Sequence, residues 1–191
     1  MTQRTMVVDL DRCIGCKSCE VACKQENGVV LGCTWNKVLT VGPTGTYPNL
    51  QMYYLPAMCQ ECKSAPCVKV CPTGASYKSE EGVVLIDKEK CIGCRYCMMA
   101  CPYGVRTFNE ETKVVEKCTL CAQLHTNGEQ PACVKNCPAS CRFVGDIDNP
   151  NSDVAKVIQK AGNENVHVLP DVGNRPSARY IMHSKTAAWR E

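Results

Sequence analysis

The chain has little of the material from which an ordinary hydrophobic core is built. Only two Phe and two Trp occur among its 191 residues, and aromatic residues make up 6% of the sequence. No apolar run approaches the roughly 20 residues of a membrane-spanning helix. The sequence also has no Ser/His/Asp set, no glycine loop for phosphate and no histidine-rich metal site. We therefore predict no catalytic residue in this chain, and we expect something other than apolar side chains to supply much of the core.

The first residues lack the long apolar segment of a secretory signal peptide. Residues 1–8 instead have the pattern of a short strand. If the protein works outside the cytoplasm, we expect a partner with an export signal to carry it there.

Cysteine is the residue that the sequence has in excess. It occurs 18 times, and 16 of these residues fall into four groups of four. The third group has the spacing C-x2-C-x2-C-x3-C followed by proline, which binds [4Fe–4S] clusters in bacterial ferredoxins. The first group repeats this spacing, whereas the second and fourth groups carry insertions before their third cysteine. In chain order, the groups are Cys13/Cys16/Cys19/Cys23, Cys59/Cys62/Cys67/Cys71, Cys91/Cys94/Cys97/Cys101 and Cys118/Cys121/Cys133/Cys137.

Two other kinds of cysteine-rich site fit this spacing less well. Disulfides join cysteines in pairs and do not require such a pattern. Zinc ribbons use two C-x2-C pairs about 15–20 residues apart. Sixteen thiolates at four per cluster therefore predict four [4Fe–4S] clusters, and we expect metal binding and folding to be largely one process.

The four groups are expected to work in pairs. Three close cysteines bind one cluster, and the fourth faces away and binds a neighbouring cluster. Residues 9–16 resemble residues 87–94, and residues 66–72 resemble residues 131–138, so the chain has the pattern of a duplicated two-group unit. This pattern leaves open whether the first group pairs with the second or with the fourth.

Residues around the groups carry further predictions. Gly15 and Gly93 lie inside tight loops that favour positive φ. Residues 20–25 are predicted to form one or two helical turns that end near residue 28. Cys33 and Cys141 fall outside the groups and are predicted to be free thiols.

After the last group the composition changes. Ser152 is a candidate N-cap for a helix whose apolar face comprises positions 154, 157, 158 and 161, with Gly162 as its stop. Residues 166–169 have the pattern of a short strand. From residue 170 to the end we find no core-forming pattern, and we expect an extended arm that docks on a partner, with Trp189 among its contacts.

The net charge of +3 counts every thiol as neutral. A [4Fe–4S] core with four thiolates carries about −2, so four loaded clusters bring the protein to about −5. The mild basicity of the bare sequence is therefore no sign of a nucleic-acid partner, and we predict none.

The motifs resemble those of one known family. Residues 91–104, Cys-Ile-Gly-Cys-Arg-Tyr-Cys-Met-Met-Ala-Cys-Pro-Tyr-Gly, and residues 117–121, Lys-Cys-Thr-Leu-Cys, are similar to the iron–sulfur (beta) subunits of molybdopterin oxidoreductases. The similarity is greatest to the dimethyl sulfoxide, polysulfide and thiosulfate reductase type, and it covers roughly residues 4–145. It implies an α+β fold of two interleaved ferredoxin-like modules, each with two [4Fe–4S] clusters, with insertions and a C-terminal extended arm.

The resemblance also implies module boundaries and cluster ligands. The first module comprises residues 1–58 with 105–145, the second comprises residues 59–104, and residues 146–191 form a helix and a partner-docking arm. The implied ligand sets, numbered 1 to 4 in this order, are Cys13/Cys16/Cys19/Cys137, Cys23/Cys118/Cys121/Cys133, Cys59/Cys62/Cys67/Cys101 and Cys71/Cys91/Cys94/Cys97.

Subunits of this family conduct electrons and have no catalytic residues of their own. The resemblance implies a large catalytic partner that holds a bis-pterin guanine dinucleotide centre with molybdenum or tungsten. On the other side it implies a quinone-linked membrane subunit or another redox partner. It further implies a membrane-associated complex that is exported with the catalytic subunit, with a cytoplasmic location as the alternative.

Other functions are compatible with the cysteine pattern. The chain can serve as a four-cluster subunit of a hydrogenase, a carbon monoxide dehydrogenase or a tungsten aldehyde oxidoreductase. It can also act as a free polyferredoxin, or hold clusters that only stabilise the fold. The insertions and the arm argue against a free carrier, which needs neither, and one cluster would suffice to stabilise so small a chain.

Some members of the family have another residue in the third group and hold a three-iron cluster. Cys94 is a cysteine here, so we expect Cys94→Ser to convert one complete cluster to a three-iron species. Electron paramagnetic resonance of the oxidised protein detects such a species. Retention of all four [4Fe–4S] clusters in the variant would contradict the ligand role of Cys94.

Overall fold

The computed structural model describes residues 2–183, which form an α+β fold. Within these residues the α-helices are α1 (Ser18–Asn27), α2 (Pro66–Lys69), α3 (Tyr96–Met99), α4 (Ala122–Thr126), α5 (Ala132–Lys135) and α6 (Asp153–Ala161). The strands are β1 (Arg4–Asp9), β2 (Asn36–Thr46), β3 (Asn49–Met58), β4 (Ser76–Lys78), β5 (Val84–Ile86), β6 (Thr107–Asn109), β7 (Val114–Glu116), β8 (Arg142–Asp146), β9 (Val166–His167) and β10 (Arg179–Ile181). None of these helices is long and apolar enough to cross a lipid bilayer.

One four-stranded sheet joins the two ends of the described chain, in the order β8-β1-β10-β9. Strand β1 pairs antiparallel with β8 and parallel with β10. Its residues Met6, Val7 and Val8 are at most 1% exposed, because the sheet is covered on both faces. The other strands form three antiparallel hairpins, β2–β3, β4–β5 and β6–β7.

Two helices form where the sequence predicts them. Helix α1 ends at Gly28, whose φ of 57° gives the left-handed C-cap for which glycine is favoured. Ser152 caps α6, since its Oγ accepts a hydrogen bond from the Ala155 N–H at 3.2 Å. Helix α6 then packs its apolar face against the sheet, with the fully buried Val154 beside Val7.

The insertion between the first two cysteine groups forms the hairpin β2–β3. The chain reverses at residues 47–48, and the strand register shifts beside Gly42. A Cβ at Gly42 would lie 2.7 Å from the Gln51 carbonyl oxygen, so the irregular pairing brings the two backbones close together there. Gly42 and the proline that follows it thus belong to a bulged hairpin.

The chain after residue 170 differs from the expected docking arm. Strand β10 lies between β1 and β9, and Tyr180 is fully buried. The Tyr180 hydroxyl accepts a hydrogen bond from Gln60 Nε2 at 2.9 Å and donates one to the Pro56 carbonyl oxygen at 3.3 Å. The prediction of no core-forming segment is therefore wrong through residue 182, because these contacts join positions too distant for a local pattern to show. Residues 184–191, with Trp189, lie outside the described residues.

We expect Tyr180→Ala to lower the free energy of unfolding by about 3–5 kcal/mol, the usual cost of deleting a buried aromatic side chain. Denaturant unfolding of the cluster-loaded protein measures this change. Tyr47→Ala is the matched control, because Tyr47 is 85% exposed and its loss should matter by less than about 0.5 kcal/mol. Equal effects of the two substitutions would contradict the packing role of Tyr180.

Candidate metal centres

The first and third cysteine groups lie in loops of matching backbone conformation. Gly15 and Gly93 have φ values of 67° and 69°, which confirms the predicted positive φ at both positions. A Cβ at Gly15 would lie 2.5 Å from the Tyr54 ring, and a Cβ at Gly93 would lie 2.5 Å from the Lys113 carbonyl oxygen. Both loops therefore need glycine for its conformation and for its small size.

Left-handed backbone also occurs at residues with side chains, among them Lys17 in the first group, Arg95 in the third and Cys121 in the fourth. Cys121 has a φ of 49° and the preceding Leu120 has a φ of 51°, so two successive side-chain-bearing residues are left-handed. Such a conformation costs about 1–2 kcal/mol per residue and persists where the surrounding structure holds it, often at functional sites. Here it ends the loop directly before α4, where Cys121 is the N-cap.

The unusual backbone brings the Cys121 side chain to its predicted partners. Cys121 is buried, and it lines one cavity together with Cys23, Cys118 and Cys133. The Asn27 Nδ2 lies 3.8 Å from both the Cys121 Sγ and the Cys23 Sγ. The left-handed backbone at Cys121 could not be predicted from the cysteine spacing.

Three cavities are each lined by cysteines from two different groups. The cysteines that line them are Cys13/Cys16/Cys19/Cys137 with Cys141, Cys23/Cys118/Cys121/Cys133, and Cys71/Cys91/Cys94/Cys97. The first two cavities combine the first group with the fourth, and the third cavity combines the second group with the third.

The other cysteines of the second and third groups also lie near one another. Burial raises the pKa of the Cys62 thiol to about 11, a hydrogen bond from Asn174 opposes this rise, and the Cys67 and Cys101 thiolates add to it. The Asn174 Nδ2 donates to the Cys62 Sγ at 3.0 Å. The sequence does not point to Asn174, because this residue belongs to no motif and lies far along the chain from the cysteine that it contacts.

The donor sets fit iron–sulfur clusters better than single metal ions. All 18 cysteines are free thiols. A zinc site holds its sulfurs about 2.3 Å from one ion, but within residues 2–183 no three Cys, His, Asp or Glu residues converge to hold a single ion. The cysteines instead surround cavities, as is required when four thiolates bind the corners of a larger core. A bound cluster supplies one-electron oxidation and reduction at such a site.

The innermost thiols are neutral rather than free thiolates when no metal is bound. Burial raises the pKa of Cys118 to about 12, the Glu61 charge adds to this rise, and Lys117 opposes it. Burial likewise raises the pKa of Cys23, and the Cys118 and Cys133 thiolates add to the effect. Since iron replaces these protons, cluster binding releases protons and is coupled to folding.

The two cysteines outside the groups differ in position. Cys33 is buried, and its Sγ donates to the Phe108 carbonyl oxygen at 3.2 Å. Cys141 lines the first cavity, with its Sγ 3.5 Å from the Cys137 Sγ. A hydrogen bond from the Cys141 thiol is the main cause that lowers the pKa of Cys13 to about 6. Cys141 is therefore a close neighbour of Cys13 and Cys137 at the first cavity.

Comparison with known protein families agrees with this site. Residues 50–147 match the family described as the 4Fe-4S dicluster domain, and residues 4–25 match the family described as the 4Fe-4S binding domain. The fold and the cysteine sets thus define a ferredoxin-like protein with several [4Fe–4S] clusters.

Three curated relatives are similar over nearly the whole chain. A protein of Halobacterium salinarum assigned as the iron–sulfur subunit of a dimethyl sulfoxide reductase is 45% identical, over 95% of this chain and 79% of that protein. A sulfite dehydrogenase subunit of Allochromatium vinosum is 40% identical, over 97% of this chain and 85% of that protein. The arsenate respiratory reductase iron–sulfur subunit of a Shewanella species is 34% identical, over 92% of this chain and 94% of that protein.

The chain belongs to the iron–sulfur subunits of molybdopterin oxidoreductases, as its motifs predict. It is an electron-transfer subunit that binds [4Fe–4S] clusters and works with a catalytic partner subunit. These matches favour this function over a hydrogenase-type subunit or a free polyferredoxin.

We expect Cys137→Ala to lower the iron content by about one to four atoms per protein, because a cluster that loses a ligand either keeps three iron atoms or is lost. We expect Cys141→Ala to retain full iron content, since it removes only a hydrogen-bond donor. Iron assays and the visible absorption of both anaerobically purified variants measure the difference. If iron were lost only in Cys141→Ala, then Cys141 and not Cys137 would be the ligand.

Proposed function

We propose that the four [4Fe–4S] clusters are bound by the four ligand sets that the family resemblance implies, and that they form one electron path. The first support is that each of three cavities contains all four cysteines of one set. The second is that Cys62, Cys67 and Cys101, which belong to the remaining set, lie near enough to influence one another. Electrons pass along the clusters between the catalytic subunit and a second redox partner.

We further propose that the clusters lie in two interleaved modules, residues 1–58 with 105–145 and residues 59–104. Helix α1 of the first group packs against α5 of the fourth, and α2 of the second group packs against α3 of the third. Strands β1 and β8, which adjoin the first and fourth groups, pair with each other. Clusters 1 and 2 then belong to one module and clusters 3 and 4 to the other.

The order of clusters along the path is supported by residues that adjoin two sets at once. Arg142 lines the cavities of both set 1 and set 2. Burial raises the pKa of Cys59 in set 3, and the charge of Glu61 adds to this rise. The Cys118 thiolate of set 2 also adds to it, so Cys118 lies near enough to influence Cys59. Arg106 lines the cavity of set 4 and faces Cys67 of set 3. Clusters 1 and 4 are the two ends of this path.

The cysteines at the two proposed ends are the most accessible ones. Cys16 of set 1 and Cys94 of set 4 are exposed. Beside them Ile14 is 63% exposed and Ile92 is 67% exposed. Single exposed apolar side chains are common on protein surfaces, so it is their position beside the end cysteines that makes Ile14 and Ile92 candidates for partner contact. One end faces the catalytic subunit, and the other faces a quinone-linked membrane subunit or another redox partner.

The catalytic partner in this proposal is a large subunit with a bis-pterin guanine dinucleotide centre that contains molybdenum or tungsten. The complex is membrane-associated and extracytoplasmic, because this chain is exported together with the signal-bearing catalytic subunit. The relatives support a catalytic partner, since their names assign them as subunits of reductases and a dehydrogenase.

Anaerobic purification of the native complex through a tag on this chain tests the proposal. Native mass spectrometry and assays of iron, molybdenum and tungsten identify the partners and their metals. We expect a large partner with molybdenum or tungsten, together with about 16 iron atoms on this chain. This chain alone, with full iron and no second metal, would contradict the complex and favour a free polyferredoxin.

Two surface substitutions locate the contacts in the same experiment. Ile14→Asp and Ile92→Asp are each expected to weaken binding of a different partner, because each introduces a charge at one end of the path. Leu31→Asp is the matched control, since Leu31 is 96% exposed and lines none of the cavities described above. Unchanged partner binding in both isoleucine variants would contradict docking at these ends.

A further inference from the structure

Three cations are buried among the cysteines. Arg142, Lys117 and Arg106 are 3%, 1% and 4% exposed. A buried cation destabilises a protein unless negative groups close to it offset its loss of hydration. Each of the three lies where two of the proposed clusters adjoin.

Arg142 lies between set 1 and set 2, since it lines both of their cavities. Its Nη2 donates to the Asn36 Oδ1 at 3.1 Å, but its Nε and Nη1 are buried with no hydrogen-bond partner in the described part of the chain. Burial lowers the pKa of Arg142, and the thiolates of Cys133 from set 2 and Cys19 from set 1 more than reverse this effect. The guanidinium therefore faces the sulfur atoms of both sets.

Arg106 occupies the corresponding place between set 3 and set 4. Its Nη2 donates to the Ser76 Oγ at 2.9 Å, and its guanidinium lies within reach of the Cys67 and Cys97 sulfurs. Its buried Nη1 forms no well-aligned hydrogen bond within residues 2–183. Burial lowers the pKa of Arg106, and the thiolates of Cys67 from set 3 and Cys97 from set 4 raise it above its ordinary value. The unused N–H groups of both arginines would gain sulfur acceptors when the clusters are bound.

Lys117 lies at the junction of set 2 and set 3, because its Nζ donates to the Cys118 carbonyl oxygen at 2.6 Å and its partner Glu61 stands between Cys59 and Cys62 in the chain. It differs from the two arginines because a carboxylate accompanies it. Its Nζ is 3.5 Å from the Glu61 Oε1, and both side chains are 1% exposed. The Glu61 Oε2 accepts a hydrogen bond from the Val84 N–H at 2.6 Å. Burial lowers the pKa of Lys117, but the Cys59 thiolate of set 3, Glu61 and the Cys118 thiolate of set 2 raise it overall.

We propose that these three side chains tune the electron path, with one buried cation at each of its three junctions. A reduced cluster carries one more negative charge than an oxidised one, so a nearby cation raises the reduction potential of each cluster that it faces. At the central junction Glu61 cancels most of this effect. Among the described residues, no ion pair joins Arg142 or Arg106 to a carboxylate, so their charges act in full.

This tuning rests on the proposed ligand sets and their order, and it gives a role to residues that are not ligands. Each step of the path moves one electron from a reduced cluster to its oxidised neighbour. No bond to Arg142, Lys117 or Arg106 forms or breaks, and their charge is the same before and after the step. Each of the three residues holds a positive charge beside two clusters. In this way it changes the reduction potentials of those clusters.

Anaerobic redox titration of the cluster-loaded full chain, followed by electron paramagnetic resonance, tests the proposal. We expect Arg142→Gln to lower the potentials of clusters 1 and 2, and Arg106→Gln to lower those of clusters 3 and 4. The expected size is about tenfold or more in the ratio of reduced to oxidised cluster, which is 59 mV for a one-electron step. The other two clusters are expected to keep their potentials, and Cys94→Ser identifies the signal of cluster 4.

At the central junction, removal of a charge is expected to raise the reduction potentials of the neighbouring clusters rather than lower them. Glu61→Gln has nearly the same shape but leaves the Lys117 charge uncompensated, so it should raise the potentials of clusters 2 and 3. The double variant Glu61→Gln with Lys117→Gln should return them close to their original values. No upward shift in Glu61→Gln would overturn the role of this pair.

Two controls separate charge from structure. Arg142→Lys keeps the positive charge, so we expect normal iron content and potentials close to those of the unchanged protein. Lys160→Gln removes one exposed cation from α6, away from the cavities, and should shift no cluster. Loss of iron in both Arg142→Gln and Arg142→Lys would make Arg142 a structural residue and overturn its tuning role.

Uniform shifts of all four clusters would also overturn the proposal, because each cation should act on its two neighbours alone. The titration compares variants of this chain under the same conditions and requires no partner. Absence of a molybdenum or tungsten partner would therefore contradict the proposed complex and leave this test intact.

Discussion

Four thiolates held around one cavity are the constraint on which the rest of this structure depends. Each proposed set combines cysteines from two groups that are distant in the chain, so the loops have to be brought together before a cluster is held. Burial raises the pKa of inner thiols such as Cys118 and Cys23. Without metal, these thiols would therefore be neutral and would surround an empty cavity. Cluster binding is therefore part of folding, and it explains how a chain with two Phe and two Trp forms its core.

Negative charge is the second consequence of this constraint. Clusters with four thiolates bring about −2 each into a small interior, and the low polarity of that interior strengthens every interaction with them. Arg142 and Arg106 have buried N–H groups that form no well-aligned hydrogen bond in the described part of the chain. Cations and clusters that would each be unfavourable alone offset one another when they are buried together. The same charges that stabilise the fold thus set how easily each cluster is reduced.

The sequence predicts the parts of this fold that local spacing controls. Cysteine spacing and the glycines at 15 and 93 determine the loops, and the cap at Ser152 determines where α6 begins. The left-handed backbone at Cys121 could not be predicted, because tertiary packing and not a glycine holds it. Hairpin β2–β3 could not be predicted either, because its bulge interrupts the alternation of a strand. Strand β10 and the hydrogen bond from Asn174 to Cys62 have partners far away in sequence, and only the closed fold brings them together.

The segment from residue 174 to residue 182 shows why that long-range closure matters for electron transfer. Its carbonyl groups at Asn174 and Arg175 accept hydrogen bonds from the N–H groups of Ser64 at 3.1 Å and Lys63 at 2.8 Å, in the loop of the second group. Its strand β10 pairs with β1, beside the first group. One segment therefore holds both proposed modules at a fixed separation. Electron transfer between the proposed clusters 2 and 3 depends on that separation. The burial of this segment therefore supports electron transfer, and it does not require a docked partner as its explanation.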